Sequence, residues 1–108
     1  MKKALSAIVL VSLLFSGCYE PVRITVVNDL GSWDIEKIYI SGTDEADWGL
    51  NSLPSGTVLA PGDSIAIGVE TGTYDIQLVD QDGDTYTRWG QEVTEEGYRW
   101  AVRLGEID

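Results

Sequence analysis

The stretch Ser64-Ile65-Ala66-Ile67-Gly68-Val69-Glu70-Thr71-Gly72-Thr73-Tyr74-Asp75-Ile76-Gln77-Leu78-Val79-Asp80 decides the fold class of this chain. It holds two alternating runs, with Ile65, Ile67 and Val69 in phase in the first and Tyr74, Ile76 and Leu78 in the second. Period two places alternate side chains on one face of a strand, whereas a helix would repeat its apolar residues every three or four positions. Gly72 stands between the runs, where a hairpin needs positive φ, and Pro61-Gly62 upstream suits the centre of a type II turn. Two strands, 64–70 and 73–80, are expected.

The same period recurs on both sides of this stretch. Residues 22–28 place Val22, Ile24 and Val26 on one face, and 35–41 place Ile38 and Ile40 inward. Short runs follow at 57–60 and 84–89, and the run 98–104 carries Tyr98, Trp100, Val102 and Leu104 in phase. Asn28-Asp29-Leu30-Gly31, Gly83 and Gly97 read as turns. Strands at this spacing, roughly 8 to 12 residues apart, describe an all-β chain: a small antiparallel β-sandwich of about seven strands. Helix has one foothold, Thr43-Asp44-Glu45-Ala46-Asp47-Trp48, where Thr43 can cap a single turn; a loop or short helix is expected there.

Leu59-Ala60-Pro61-Gly62-Asp63-Ser64 through Gly72-Thr73-Tyr74-Asp75-Ile76 resembles the Pro-Gly turn, apolar strand and Gly-x-Tyr strand of small bacterial immunoglobulin-like and transthyretin-like sandwiches. The resemblance implies architecture. Such folds host adhesion, scaffolding and ligand binding alike, so it carries no particular activity.

The N-terminus has its own pattern. Met1-Lys2-Lys3 is positive, and Ala4 to Phe15 is apolar except for two serines, the layout of a signal peptide. Twelve residues rise only about 18 Å as a helix, short of the bilayer's apolar core of about 30 Å. Leu14-Phe15-Ser16-Gly17-Cys18 resembles the lipobox of bacterial lipoproteins, with Phe15 where Leu is usual. The resemblance implies cleavage after residue 17 and acylation of Cys18. Tyr19 rather than Asp after the cysteine implies the outer membrane, periplasmic side, or the cell membrane in a host with no outer membrane. The expected organisation is a signal peptide over 1–17, an acylated Cys18 with a short tether over 18–21, and a sandwich over 22–108. Tyr19, Glu20 and Pro21 span about 10 Å when extended, which keeps the domain near the membrane surface.

Composition removes several function classes. The chain of 108 residues has 18 acidic and 7 basic side chains, no histidine and one cysteine. Without imidazole there is no Ser-His-Asp or Cys-His catalysis and no His-ligated metal. All the acids lie after residue 17 and Lys2 and Lys3 before it, so the remaining 91 residues carry 18 acids against 5 bases, a net −13. A phosphate backbone needs the opposite charge, which excludes nucleic acid as a partner. No P-loop, dinucleotide fingerprint or Gly-x-Ser-x-Gly elbow is present. Asp44, Glu45 and Asp47 sit in a polar stretch without the apolar cleft that would raise a catalytic acid. The chain reads as a non-enzyme without a resident cofactor.

Three local features merit a site reading. Asp80-Gln81-Asp82-Gly83-Asp84 sets oxygens at alternate positions around a glycine, as weak Ca²⁺ loops do, with Asp80, Asp82 and Asp84 as ligands. The same residues satisfy a hairpin tip with solvated acids, which is the expected reading. Trp33 and Trp48, in loops, form a candidate ligand platform for sugars; the competing role is to plug the ends of the core. Trp89 is undecided between faces. Arg99 and Arg103 share the outward face of the last run, and would pair with Asp75 if that run lay beside 73–80. Taken together, the expectation is a lipid-anchored accessory or binding protein of the cell envelope with a protein or envelope-polysaccharide partner. The alternatives are an acidic inhibitor of a cationic protein such as lysozyme, and a sugar- or peptidoglycan-binding module.

Overall fold

In the computed structural model, residues 21–108 are described; the signal-peptide and Cys18 expectations lie outside them. Among the described residues six strands follow one another: β1 (Val22–Asp29), β2 (Ile35–Gly42), β3 (Ser64–Val69), β4 (Gly72–Asp80), β5 (Thr85–Val93) and β6 (Tyr98–Arg103). A 3-10 turn, Leu104–Glu106, closes the chain. Among the described residues no helix is long and apolar enough to cross a membrane.

The strands form two three-stranded sheets, ordered β3-β1-β6 and β2-β4-β5. The second is an antiparallel meander. In the first, β1 runs antiparallel to β3 but parallel to β6. That parallel pair follows from the path of the chain: β5 ends in the tight turn 94–97, which hands β6 to the other sheet at the end where β1 begins. Arg99 consequently lies opposite Thr25, and Arg103 pairs with Asp29 at 3.3 Å, so Asp75 is not their partner.

Registered rows explain the core. In one sheet Ile67, Ile24 and Tyr98 align, as do Ile65, Val26 and Trp100; in the other Ile38, Leu78 and Tyr86 align. The inner members of these rows are fully buried and face each other across the sandwich, while Leu30, Leu53 and Leu59 from loops close its ends. Each such side chain contributes roughly 1.5–3 kcal/mol through burial. Leu104 departs from the expected phase, because the chain leaves β6 for the 3-10 turn and exposes it.

The expected strand over 57–60 is reduced to one bridge. Leu59 and Ile35 exchange both backbone hydrogen bonds at 2.9 Å. Thr57 N–H is already turned back to the Pro54 carbonyl and the chain must bend again at Pro61-Gly62, which leaves no length for a ladder. The segment 43–58 contains no helix. Asn51 docks it instead: its Oδ1 accepts from Ile38 N–H (2.9 Å) and Leu53 N–H (3.0 Å), while Ser52 N–H donates to the Ile38 carbonyl (2.7 Å). The open edge of β2 is thereby covered, as edges in stable sheets are. Asp108 does the same for β5, donating its N–H to the Thr85 carbonyl and accepting the Thr87 N–H on its carboxylate.

Asn28 is the buried polar staple of one end. Its Nδ2 donates to the carbonyls of Trp33 and Leu59, both at 2.8 Å, and its Oδ1 accepts from Leu30 N–H at 2.9 Å. Every polar atom of the side chain is used there in holding two loops to β1.

Candidate functional site: an aromatic face on the outer side of one sheet

The alternation that buries Ile38 and Leu78 turns Tyr39, Gln77 and Thr87 to the opposite face of β2-β4-β5, where they form one row. Next along β5 is an irregularity. Tyr74 pairs with Gln91 and Ile76 with Arg88, so Trp89 and Gly90 together oppose the single residue Asp75. This is a β-bulge, and it depends on Gly90, whose φ of 63° lies in the left-handed region. Asp75 Oδ1 accepts the Gly90 N–H at 2.8 Å, and Gln91 Nε2 donates to the Trp89 carbonyl at 2.7 Å.

The bulge has two consequences. It shifts the phase of β5, so that Tyr86 and Arg88 before it and Gln91 and Val93 after it face inward. It also projects Trp89 outward, leaving the side chain 66% exposed. Trp48 comes from the loop after β2 and sits between two rings, 5.6 Å from Trp89 and 6.4 Å from Tyr39, at tilts near 40°. That loop is held by Ser41 Oγ, which donates to the Asp47 carbonyl at 3.1 Å. Aromatic pairs at such separations are mutually attractive.

The structure therefore regroups the tryptophans. Trp48 belongs with Trp89 and Tyr39, and among the described residues no ring contact joins it to Trp33. Trp33 is half-buried and packed against the core, with its carbonyl held by Asn28. The two residues of the expected platform are thus placed differently: Trp33 packs against the core and Trp48 joins an outer face. The sequence held a usable signal, since a glycine directly after Trp89 inside a strand marks a bulge, and Tyr39 between Ile38 and Ile40 points outward.

The hairpin tip at 80–84 uses the carboxylate of Asp80 internally. Asp80 is buried, in phase with Ile76 and Leu78, and its Oδ1 accepts the N–H groups of Asp82 (2.9 Å) and Asp84 (3.1 Å). Its Oδ2 accepts the Tyr86 hydroxyl at 2.8 Å. Asp82 and Asp84 are exposed, and among the described residues no three or more carboxylate or thiol groups are gathered to hold a metal ion.

On the inner side, Arg88 spans the sheets. It lies 4.5 Å over the Trp100 ring and donates to Tyr98 Oη (2.9 Å) and Glu106 Oε1 (3.0 Å). Tyr98 in turn donates to Gln91 Oε1 at 2.7 Å, and Glu106 also accepts the Trp100 indole N–H and the Arg103 backbone N–H. Burial pushes the Glu106 pKa up, but the Arg88 guanidinium and the two further donors outweigh it and hold the carboxyl below its usual range. This network fastens β5 to β6 and backs the strand that presents Trp89.

No protein-family model matches the chain, and no curated protein matches it in sequence. A solved structure described as the NMR structure of the protein from Eubacterium rectale is similar, with a TM-score of 0.58 over 82% of this chain and 84% of that one, at 18% identity. At that identity the likeness shows a shared fold.

Proposed function

We propose that this chain is a lipid-anchored binding protein of the cell envelope, attached through Cys18 and acting by noncovalent contact at the Tyr39, Trp48 and Trp89 face. The observation that carries this reading is Trp89, exposed to 66% on a bulged strand and in tilted ring contact with Trp48. A large ring left in water costs solubility and is repaid when a ligand covers it. Envelope polysaccharide is the favoured ligand class: apolar faces of sugar rings lie on tryptophan, and hydroxyls find the indole N–H groups and the bordering Asp75 carboxylate. The test is intrinsic fluorescence during titration with soluble peptidoglycan fragments. Trp89→Ala and Trp48→Ala abolish the response and Trp33→Ala spares it; a wild-type protein with no response removes the sugar reading. Anchoring is read separately, since Cys18→Ser abolishes acyl labelling and releases the protein from membranes.

The net charge of −13 over residues 18–108 supports a second reading, an acidic inhibitor of a cationic envelope-directed protein such as lysozyme, steered by long-range attraction. Lysozyme binding that persists in Trp89→Ala and disappears with added salt would favour it.

A further inference from the structure

In a chain dominated by acids, cations collect on one surface. Of the five basic residues after residue 17, Arg23, Arg99 and Arg103 all stand on the outer face of β3-β1-β6, out of phase with Ile24, Val26, Trp100 and Val102. Arg103 is paired with Asp29, whereas among the described residues Arg23 and Arg99 form no ion pair. Arg99 lies opposite Thr25, two residues along the same face from Arg23, so the two arginines are diagonal neighbours on that face. Like charges so placed invite an anion between them.

They border an open cleft of about 430 Å³ whose other walls include Pro21, Glu95, Glu96 and Tyr98. The turn 94–97 is pressed against β1 so closely that a Cβ on Gly97 would stand 3.0 Å from the Arg23 carbonyl oxygen. Glu95 and Glu96 thus line the same cleft as Arg23 and Arg99, and among the described residues these four form no ion pair. At its rim, Pro21 stands three residues beyond Cys18, a reach of about 10 Å.

We propose that this cleft holds the headgroup of a zwitterionic aminophospholipid from the membrane that carries the anchor. Arg23 and Arg99 take the phosphate, and Glu95 or Glu96 takes the ammonium. The source of the ligand rests on the lipid-anchored reading above; the chemistry of the cleft does not. A purely anionic headgroup fits less well, because it leaves the two glutamates opposed and meets a net charge of −13 over residues 18–108. Docking in this way turns the outer face of β3-β1-β6 toward the bilayer. The Tyr39, Trp48 and Trp89 face, on the outside of the other sheet, then points away from it and is free for its ligand.

The test uses water-soluble headgroups and amide NMR of the purified protein, so that it does not require acylation. Glycerophosphoethanolamine shifts the Gly97 and Arg99 amide signals in the millimolar range. Arg23→Gln and Arg99→Gln each weaken that binding at least about tenfold, as expected for loss of a charge-assisted contact, and Glu95→Gln with Glu96→Gln removes the preference over glycerophosphoglycerol. Equal responses to inorganic phosphate and glycerophosphoethanolamine, or no response, overturn the proposal. In vesicles of phosphatidylethanolamine, the acylated protein shows slowed amide exchange at 97–99 relative to phosphatidylcholine vesicles. Headgroup binding in a protein that is never acylated would overturn the anchor alone; an acylated protein blind to the headgroup would overturn the cleft alone.

Discussion

The Tyr86 hydroxyl donates to Asp80 Oδ2 across 2.8 Å with both side chains buried, so the hairpin tip at 80–84 is tied into the core rather than hung from it. Burial first, then the hydrogen bond and charge of Asp80, push the phenol well above the usual tyrosine range. Tyr86→Phe leaves a buried carboxylate oxygen without its donor and costs about 1–3 kcal/mol. Asp80→Ala costs more, since it also orphans the Asp82 and Asp84 N–H groups. Urea denaturation of both variants checks the order.

Cations are expected to stabilise this protein by screening its charge. Because Asp80 spends both oxygens on its own turn and on Tyr86, equal concentrations of Ca²⁺ and Mg²⁺ raise the melting temperature equally, and Asp82→Asn leaves the effect intact. A Ca²⁺-specific rise lost in Asp82→Asn would make the tip a coordination site. Thermal melts in the two chlorides decide.

Acid weakens the link between the sheets. The Glu106 and Asp108 carboxyls are held below their usual values, in each case against the opposing effect of burial: Glu106 by Arg88 and its other donors, Asp108 by Thr87 and Thr85. A carboxyl with a depressed folded pKa binds protons more weakly when folded, so its stabilisation is complete above the unfolded pKa of about 4 and is lost as pH falls through the folded value. Stability therefore declines from roughly pH 5 downward, and Glu106→Gln, less stable at neutral pH, shows a shallower decline. Denaturant midpoints measured from pH 7 to pH 3 give both slopes.

Trp100 and Trp89 carry unequal weight in stability. Trp100→Ala empties the core beneath Arg88 and costs about 3–5 kcal/mol. Trp89→Ala, which removes an exposed ring with one aromatic neighbour, costs under about 1 kcal/mol. Equal losses would mean that the outer aromatic face is structural.

Gly90→Ala forces an alanine into the left-handed region, at about 1–2 kcal/mol. Relief comes through loss of the bulge, which re-aims Trp89 and separates it from Trp48. A loss of stability of that size together with a change in near-ultraviolet circular dichroism is the expected result; an unchanged spectrum would dissociate the bulge from the aromatic face.

The local geometry was legible along the chain: alternating apolar residues made β1 through β4 and β6 extended, and Pro61-Gly62, Gly83 and Gly97 placed corners where the chain turns, whereas β5, with Arg88 and Gln91 among its inward positions, was legible only over 84–89. The sequence by itself also determined Trp100 and Val102 as core, because a strand's period of two leaves them only one face. Tertiary structure decided which strands pair. Nothing local to 98–103 encodes a parallel partnership with β1, which arises because the turn 94–97 delivers β6 to the sheet across the core. The bulge at Trp89-Gly90 likewise needed Asp75 on the facing strand to receive the Gly90 N–H, and it alone settled which way Trp89 points. Asp80 shows the same division. Its spacing is that of a solvated turn acid or a cation ligand, yet the phase of β4 carries it inward to Tyr86, where two backbone N–H groups and one phenol use its oxygens. Periodicity is a property of neighbours along the chain; pairing, stacking and the consumption of a carboxylate depend on residues brought together only when the sheets close.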